Sequence, residues 1–326
     1  MTPNGLYCPA GNFHIDPNGK VDTAVVTHAH SDHARRGSRE YHCTTPGLGV
    51  LKARIGQNIS VNHHAYGEAF YIRGVKLSFH SAGHILGSAQ VRIEFGGEVW
   101  VASGDYKREP DGTCAPFEPV PCDVFITEAT FGTPGFVWGK DIDLGKQIHD
   151  WHLENQAAGK NSVVLAYSLG KAQRVLNLLH PWAKEPIFCD AATSVINDCY
   201  RDEKVILPET IQVTRQTSPV QSRLFVVPPS FLRGEFAPVL GDDFETAFAS
   251  GWSKRPRWGN SHPGFILSDH ADWNDLLKTV LETGAKRVYV QHRGSGALVR
   301  RLNSLGIKAY SDSALFPKNP QQLSLL

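Results

Sequence analysis

Short runs of apolar and β-branched residues alternate along the chain with polar loops and a few helical windows. Residues 23–27, 75–80, 89–95, 98–103 and 123–128 carry the strand pattern. Gly96 and Gly97 separate the third and fourth of these runs, which predicts a tight hairpin. Residues 161–168 read as a strand, and the helical LGKAQRVLNLL after them completes a βα unit. Residues 286–292 and 307–311 read as strands on either side of a helical ALVRRLNSLG. The stretch from about residue 200 to 263 differs in texture, being rich in Pro and Gly, and DWNDLLKTVLETG then resumes a helix with a Gly stop. The pattern predicts an α/β protein whose first and last portions form one layered system, with a second unit inserted between them.

The chain has 326 residues, room for two domains, and 41% of them are hydrophobic, enough for a real core. The formal net charge of +1 gives no overall nucleic-acid signal, so any basic face must be local. The six cysteines (Cys8, Cys43, Cys114, Cys122, Cys189 and Cys199) form no CxxC pair, which suits reduced thiols and a cytoplasmic location. The start lacks the basic-then-apolar pattern of a secretory signal, and no apolar run approaches a membrane span, so no membrane partner is expected.

The chemistry concentrates in HAHSDH, which sets His28, His30, Asp32 and His33 in one short stretch. In an extended segment the first three point the same way, while His33, where the chain is expected to enter a helix, faces elsewhere. Ligands fanned like this serve two divalent ions, zinc or manganese, better than one. His84 follows strand 75–80 in a Gly- and Ser-rich loop, and Asp105 directly follows strand 98–103. A carboxylate between two ions can bridge them, so Asp105 is the natural shared ligand. Alone, either residue reads as a loop-capping group, and the histidine cluster is what raises both.

Asp16 in FHIDP, then HAHSDH, His84 and Asp105 resemble the four successive motifs of the metallo-β-lactamase superfamily. Glu128 in ITEATFG, His270 in LSDHADW and His292 in VYVQHRG resemble motifs A, B and C of its β-CASP nuclease branch, and SLGKAQRVL resembles that branch's strand–helix opening. Within the branch, GLYCPAG, FASGW and SDHADW are most similar to the bacterial DNA ligase-associated exonucleases, relatives of Artemis-type and RNA 3′-end processing nucleases. RGSG after His292 departs from the HG-plus-acid expected there. The resemblance implies a four-layer αββα sandwich from residues 1–133 and 264–326, with an inserted α/β β-CASP domain at 134–263.

It also implies one ion on His28, His30, His84 and Asp105, and a second on Asp32, His33, Asp105 and His292, with Asp16 bracing the loop from behind. Two ions about 3.5–4 Å apart supply a hydroxide nucleophile for phosphodiester cleavage. His270 would be the general acid and Glu128 its orienting partner, completing a catalytic set with Asp32. The implied function is a DNA exonuclease on single-stranded or resected ends, with a DNA ligase and helicase as pathway partners. RNA processing is the alternative, since a motif C histidine is more typical of RNA-acting members; a metal-free scaffold and a small-molecule hydrolase are more distant ones. Substrate contacts are open between two readings each. Lys171 and Ser168 are a phosphate site or a capped helix start. Arg255 and Arg257, with Lys254, Trp252 and Trp258, are a nucleic-acid contact or a solvated loop. Arg35, Arg36 and Arg39 are a backbone rim or a solvated face.

Overall fold

In the computed structural model, which describes residues 2–139, 143–254, 264–291 and 296–315, the chain divides into two units: Met1–Val137 with His270–Leu326, and Trp138–Asp269. The first unit opens with β1 (Leu6–Cys8), β2 (Phe13–Ile15), β3 (Thr23–Val25), β4 (Glu40–Thr44), α1 (Leu48–Ile55) and β5 (Val61–His64). It continues with β6 (Ala69–Ile72), β7 (Val75–Ser81), β8 (Ala89–Phe95), β9 (Glu98–Ala102) and β10 (Val124–Thr127). The second unit holds α2 (Leu144–Ala157), β11 (Asn161–Leu165), α3 (Lys171–Leu179), β12 (Ile187–Cys189), α4 (Ala191–Asp202), β13 (Thr210–Gln212), β14 (Leu224–Val227) and β15 (Phe244–Phe248). The returning segment adds α5 (Trp273–Thr283), β16 (Arg287–Val290), α6 (Gly296–Ser304) and β17 (Lys308–Ser311).

Local chemistry sets these boundaries. Phe95 pairs with Glu98 across a two-residue turn in which Gly96 and Gly97 have φ of 61° and 82°, values that L side chains rarely adopt. Helix α5 starts where the Asp272 carboxylate accepts from the Asp275 amide and stops at Gly284, which is left-handed at φ 64°. The strand expected over 161–168 ends at Leu165, and the residues after it form the turn into α3.

The first unit contains a five-stranded sheet in the order β1-β2-β3-β4-β5 and a seven-stranded sheet in the order β17-β16-β10-β9-β8-β7-β6. Phe13, Ile15 and Val25 of the smaller sheet share one apolar cluster with Leu77, Phe79, Val91, Ala102 and Ile126 of the larger. The alternate residues Val101, Phe125 and Val288 face the opposite way and pack with Leu276 and Val280 of α5 and Leu298 and Leu302 of α6. Burying both faces explains why these strands read as nearly continuous apolar runs. The second unit has one all-parallel sheet in the order β13-β12-β14-β11-β15, with α2 and α3 packed on one face. Among the described residues no helix is long and apolar enough to cross a membrane.

Candidate metal centre

Strand direction brings the centre together. β9 and β10 are parallel, and two antiparallel pairings make β7 run the same way as β9. The loops leaving β7, β9 and β10 therefore emerge at one edge of the sheet, carrying His84, Asp105 and Glu128. The loop after β3 brings His28, His30, Asp32 and His33. Two glycines permit the close approach. A Cβ on Gly83 (φ +68°) would sit 2.4 Å from the Lys107 carbonyl oxygen, and one on Gly104 (φ +56°) 2.7 Å from Thr27 Oγ1. The helix expected to begin at His33 does not form. One turn closes, with the His33 and Ala34 amides donating to the His30 carbonyl, and the Arg35 carbonyl is then taken by the Tyr41 hydroxyl at 2.7 Å.

His28, His30, His84 and Asp105 each present one ligand atom, all within 4.8 Å of one another. His30 Nδ1 lies 3.1 Å from both His28 Nε2 and His84 Nε2. Nitrogens sharing a tetrahedral ion with bonds of about 2.0–2.1 Å sit about 3.3 Å apart, so the spacing matches one coordination sphere. His33 Nε2 is 3.4 Å from Asp105 Oδ2 and 3.9 Å from Asp32 Oδ2. The Asp32 side chain is 71% exposed and the Asp105 side chain 6%, so only the latter is a buried charge.

Asp105 supplies the test of fit. Its Oδ1 is buried with no hydrogen-bond partner among the described residues, and its Oδ2 faces His33, His28, His84 and His270 nitrogens at 3.4, 3.7, 3.9 and 4.0 Å. A buried carboxylate without good donors is costly unless a cation accompanies it. Burial works to raise its pKa, but His33, His270 and His28 outweigh that and hold the carboxyl well below the usual range. Burial, helped by His33, His84 and His30, holds His28 well below the ordinary imidazole value, which is the neutral form a metal needs. At His33, burial is overcome by Asp105 and Asp16, which push it well up, so these carboxylates draw positive charge to this point. Imidazoles with a carboxylate are a donor set for a divalent transition ion.

A second set of contacts fixes the ligands. Asp16 accepts from the Thr27 amide at 2.7 Å, the Thr27 hydroxyl at 2.5 Å and His33 Nδ1 at 2.7 Å. The Thr27 hydroxyl has one proton and gives it to Asp16, so at 3.0 Å its oxygen accepts from His28 Nδ1. That leaves the His28 Nε2 lone pair turned towards the other ligands. Thr27 is absent from the residues read out of the sequence, where its only signal is a hydroxyl directly before the first histidine.

Glu128 is 1% exposed and accepts from the Tyr106 amide at 2.7 Å and the Thr130 amide at 3.3 Å. His270 Nδ1 lies 3.0 and 3.2 Å from its two oxygens. Asp105, Glu128 and His270 also come within ligand reach of one another, but the Glu128 oxygens are already occupied by three donors. The trio is an oriented imidazole on a buried carboxylate.

No family model matches the chain. A probable DNA ligase of Opitutus terrae is 27% identical over 315 residues, covering 94% of this chain and 30% of the ligase. An RNase J-like protein of Methanocaldococcus jannaschii is 26% identical over 204 residues, 53% of this chain and 48% of its own. The endoribonuclease YSH1 of Eremothecium gossypii is 30% identical over 162 residues, 48% of this chain and 20% of its own. The chain thus spans half or less of the length of each of these relatives. These relatives support the β-CASP nuclease branch of the metallo-β-lactamase superfamily as the family this chain resembles. A crystal structure of a protein of unknown function from Enterococcus faecalis shares its fold, with a TM-score of 0.56 over 84% of this chain and 76% of that one at 11% identity.

The remaining expected residues divide into four groups. Arg35, Arg36 and Arg39 are exposed, on the segment that follows the metal loop. Ser168 is half-buried between β11 and α3. Lys171, expected at a phosphate, is buried instead, its ammonium 2.9 Å from Asp269 Oδ1, so its charge is compensated within the protein. His292, Arg255 and Arg257 lie outside the described residues. His42 is buried and lies 3.1 Å from His64 across Nδ1 and Nε2, both rings stacked with Phe70.

Proposed function

We propose that this chain is a two-metal phosphodiesterase acting on DNA, an exonuclease for single-stranded or resected ends. The observation that carries it is the Glu128–His270 pair beside the His28, His30, His84 and Asp105 donor cluster: an ion site and a proton donor in one place. His28, His30, His84 and Asp105 would hold one ion, and Asp32, His33, Asp105 and His292 the other, with zinc or manganese suiting the donors. Divalent ions bound there lower the pKa of water and neutralise charge on the phosphate.

The chain's own groups do the rest. Glu128 accepts the Nδ1 proton of His270, so a proton for the departing sugar oxygen is carried at Nε2. Asp16 and Thr27 keep His33 and His28 in the orientation that binds. Arg35, Arg36 and Arg39, with Ser168, Arg255 and Arg257, are proposed contacts to the nucleic-acid backbone. In this reading the first unit is the four-layer αββα domain and the second the inserted β-CASP domain, in a cytoplasmic protein.

The choice of DNA is supported by coverage. The stretch similar to a probable DNA ligase takes in 94% of this chain, against 48% for the endoribonuclease YSH1. A shared DNA-end substrate, with a ligase and a helicase acting in the same repair sequence, follows from that reading. RNA cleavage is the second reading, favoured by the names RNase J-like protein and endoribonuclease YSH1. Matched 5′- and 3′-labelled DNA and RNA oligonucleotides digested side by side with Mn, Zn and Mg separate the two. Stepwise shortening of single-stranded DNA is expected. Equal or faster RNA cleavage would overturn the DNA assignment.

A further inference from the structure

We propose that Tyr106 is a positioning residue that holds the candidate metal ligand Asp105 and the Glu128–His270 pair in one register. The proposal deepens the reading of His270 as proton donor and rests on it. All four residues belong to the first unit. Tyr106 follows Asp105 by one peptide bond, in the loop that leaves β9. Its amide donates to Glu128 Oε1 at 2.7 Å. Its carbonyl accepts at 2.6 Å from the amide of Ala271, the residue after His270. The peptide groups on either side of one Cα therefore reach both halves of the proton-donor pair. Three segments far apart in sequence, carrying Asp105, Glu128 and His270, meet at this residue.

The side chain makes that backbone a fixed point. Tyr106 is 0% exposed and shares an apolar cluster with Phe125 of β10 and with Ala271 and Leu276. The Phe117 ring lies 5.3 Å from its own, tilted by 36°. The Thr127 hydroxyl donates to the Glu128 carbonyl at 3.1 Å, so at 3.2 Å its oxygen accepts from the Tyr106 hydroxyl. The phenol is thus tied to β10 just before Glu128, and the Tyr106 amide is tied to the Glu128 carboxylate. The loop cannot shift against the strand end without breaking a buried hydrogen bond or opening the cluster. A buried tyrosine with a purely structural role needs packing and one partner for its hydroxyl. Tyr106 has both, and its two peptide groups hold the acid pair as well. A proton donor displaced by about 1 Å loses up to about a hundredfold in rate, so the anchoring has catalytic consequence.

The test uses the full chain loaded with Mn and a 5′-labelled single-stranded DNA, comparing wild type with Tyr106→Leu, Tyr106→Phe and Val280→Ala. Val280 lies in the same apolar cluster, so its truncation lowers stability without touching the hydrogen bonds of Tyr106. Tyr106→Leu should lower kcat by about ten- to a hundredfold with KM unchanged. Tyr106→Phe keeps the ring and loses one hydrogen bond, so kcat should fall by about two- to tenfold. Val280→Ala should keep the wild-type kcat. Amide hydrogen exchange at residues 106 and 271, measured on the metal-free protein without substrate, should accelerate in both Tyr106 variants and by more than in Val280→Ala. A kcat for Tyr106→Leu no lower than that of Val280→Ala would overturn the proposal. Unchanged exchange would overturn it too, whether or not the wild type cleaves DNA, so its failure is distinct from failure of the nuclease reading. If Tyr106→Leu does not fold, Tyr106→Phe carries the same readouts.

Discussion

Replacing Thr27 by Val removes one oxygen and keeps the shape. In the wild type that oxygen donates to Asp16 at 2.5 Å and accepts from His28 Nδ1 at 3.0 Å, in a position 1% exposed. After Thr27→Val, Asp16 keeps two donors, the residue 27 amide and His33 Nδ1, each at 2.7 Å. The group left stranded is the His28 Nδ1 proton, buried with nothing to accept it. An unsatisfied buried donor costs about 1–3 kcal/mol, and the lost bond to a carboxylate about 1.5–3 more, part of which the remaining donors recover. The metal-free protein should lose ~2–4 kcal/mol in urea unfolding. The His28 ring is also released to turn Nε2 away from His30 and His84, and loss of such a supporting bond typically costs ~10–100-fold in metal affinity. Zinc affinity read by chelator competition, with circular dichroism to confirm folding, provides the check. An affinity within about twofold of wild type would refute the role given to Thr27, because nothing else on its side chain reaches the ligands.

Burial pushes the His42 imidazole from 6.5 down to about 4. The unfolded chain therefore takes up a proton before the folded one, and His42's contribution is full above pH 6.5 and lost as pH falls towards about 4, at up to ~1.4 kcal/mol per pH unit. His42→Phe should flatten that limb of a urea-unfolding series, and an unchanged slope would contradict the assignment. Gly83→Ala adds a Cβ 2.4 Å from the Lys107 carbonyl oxygen at φ +68°, so it should destabilise by more than ~1 kcal/mol and weaken metal binding by shifting His84. Urea unfolding and metal titration read both effects, and a neutral result would show that the loop yields easily. His270→Ala should keep its metal by elemental analysis and lose ~10²–10⁴ in turnover, and full activity would remove His270 from the mechanism.

Periodicity named eight of the seventeen strands among the described residues and placed seven of the eight within two residues, because strands buried on both faces read as apolar runs, whereas the rest are only three to five residues long. The site was legible as residue types at strand ends, where His28, His84, Asp105 and Glu128 stand. What tightens it was not. Thr27 acts through a single hydroxyl whose two partners lie one residue and eleven residues away in sequence, and no pattern announces which threonine is buried. Lys171 and Asp269 are 98 residues apart, so a helix-start lysine that suggests phosphate turns inward only through tertiary packing. The helix expected at His33 does not continue past one turn: the Arg35 carbonyl, which a helix would offer to the Arg39 amide, accepts from the Tyr41 hydroxyl, and the Arg39 amide donates to the Val21 carbonyl. His42 and His64 lie on neighbouring strands and meet through sheet pairing, which composition does not show.

Asp105 is a buried carboxylate whose Oδ1 meets no donor among the described residues and whose Oδ2 faces four imidazoles. The direct measurement is bound metal per chain, with cleavage of a labelled single-stranded DNA, in wild type and Asp105→Asn, before and after chelation and reloading with Mn or Zn. Metal and cleavage are expected in the wild type, with loss of both on chelation, recovery of both on reloading, and neither in Asp105→Asn despite a folded protein. Cleavage that survives chelation, or an Asp105→Asn protein that still binds metal and cuts at the wild-type rate, would contradict that expectation.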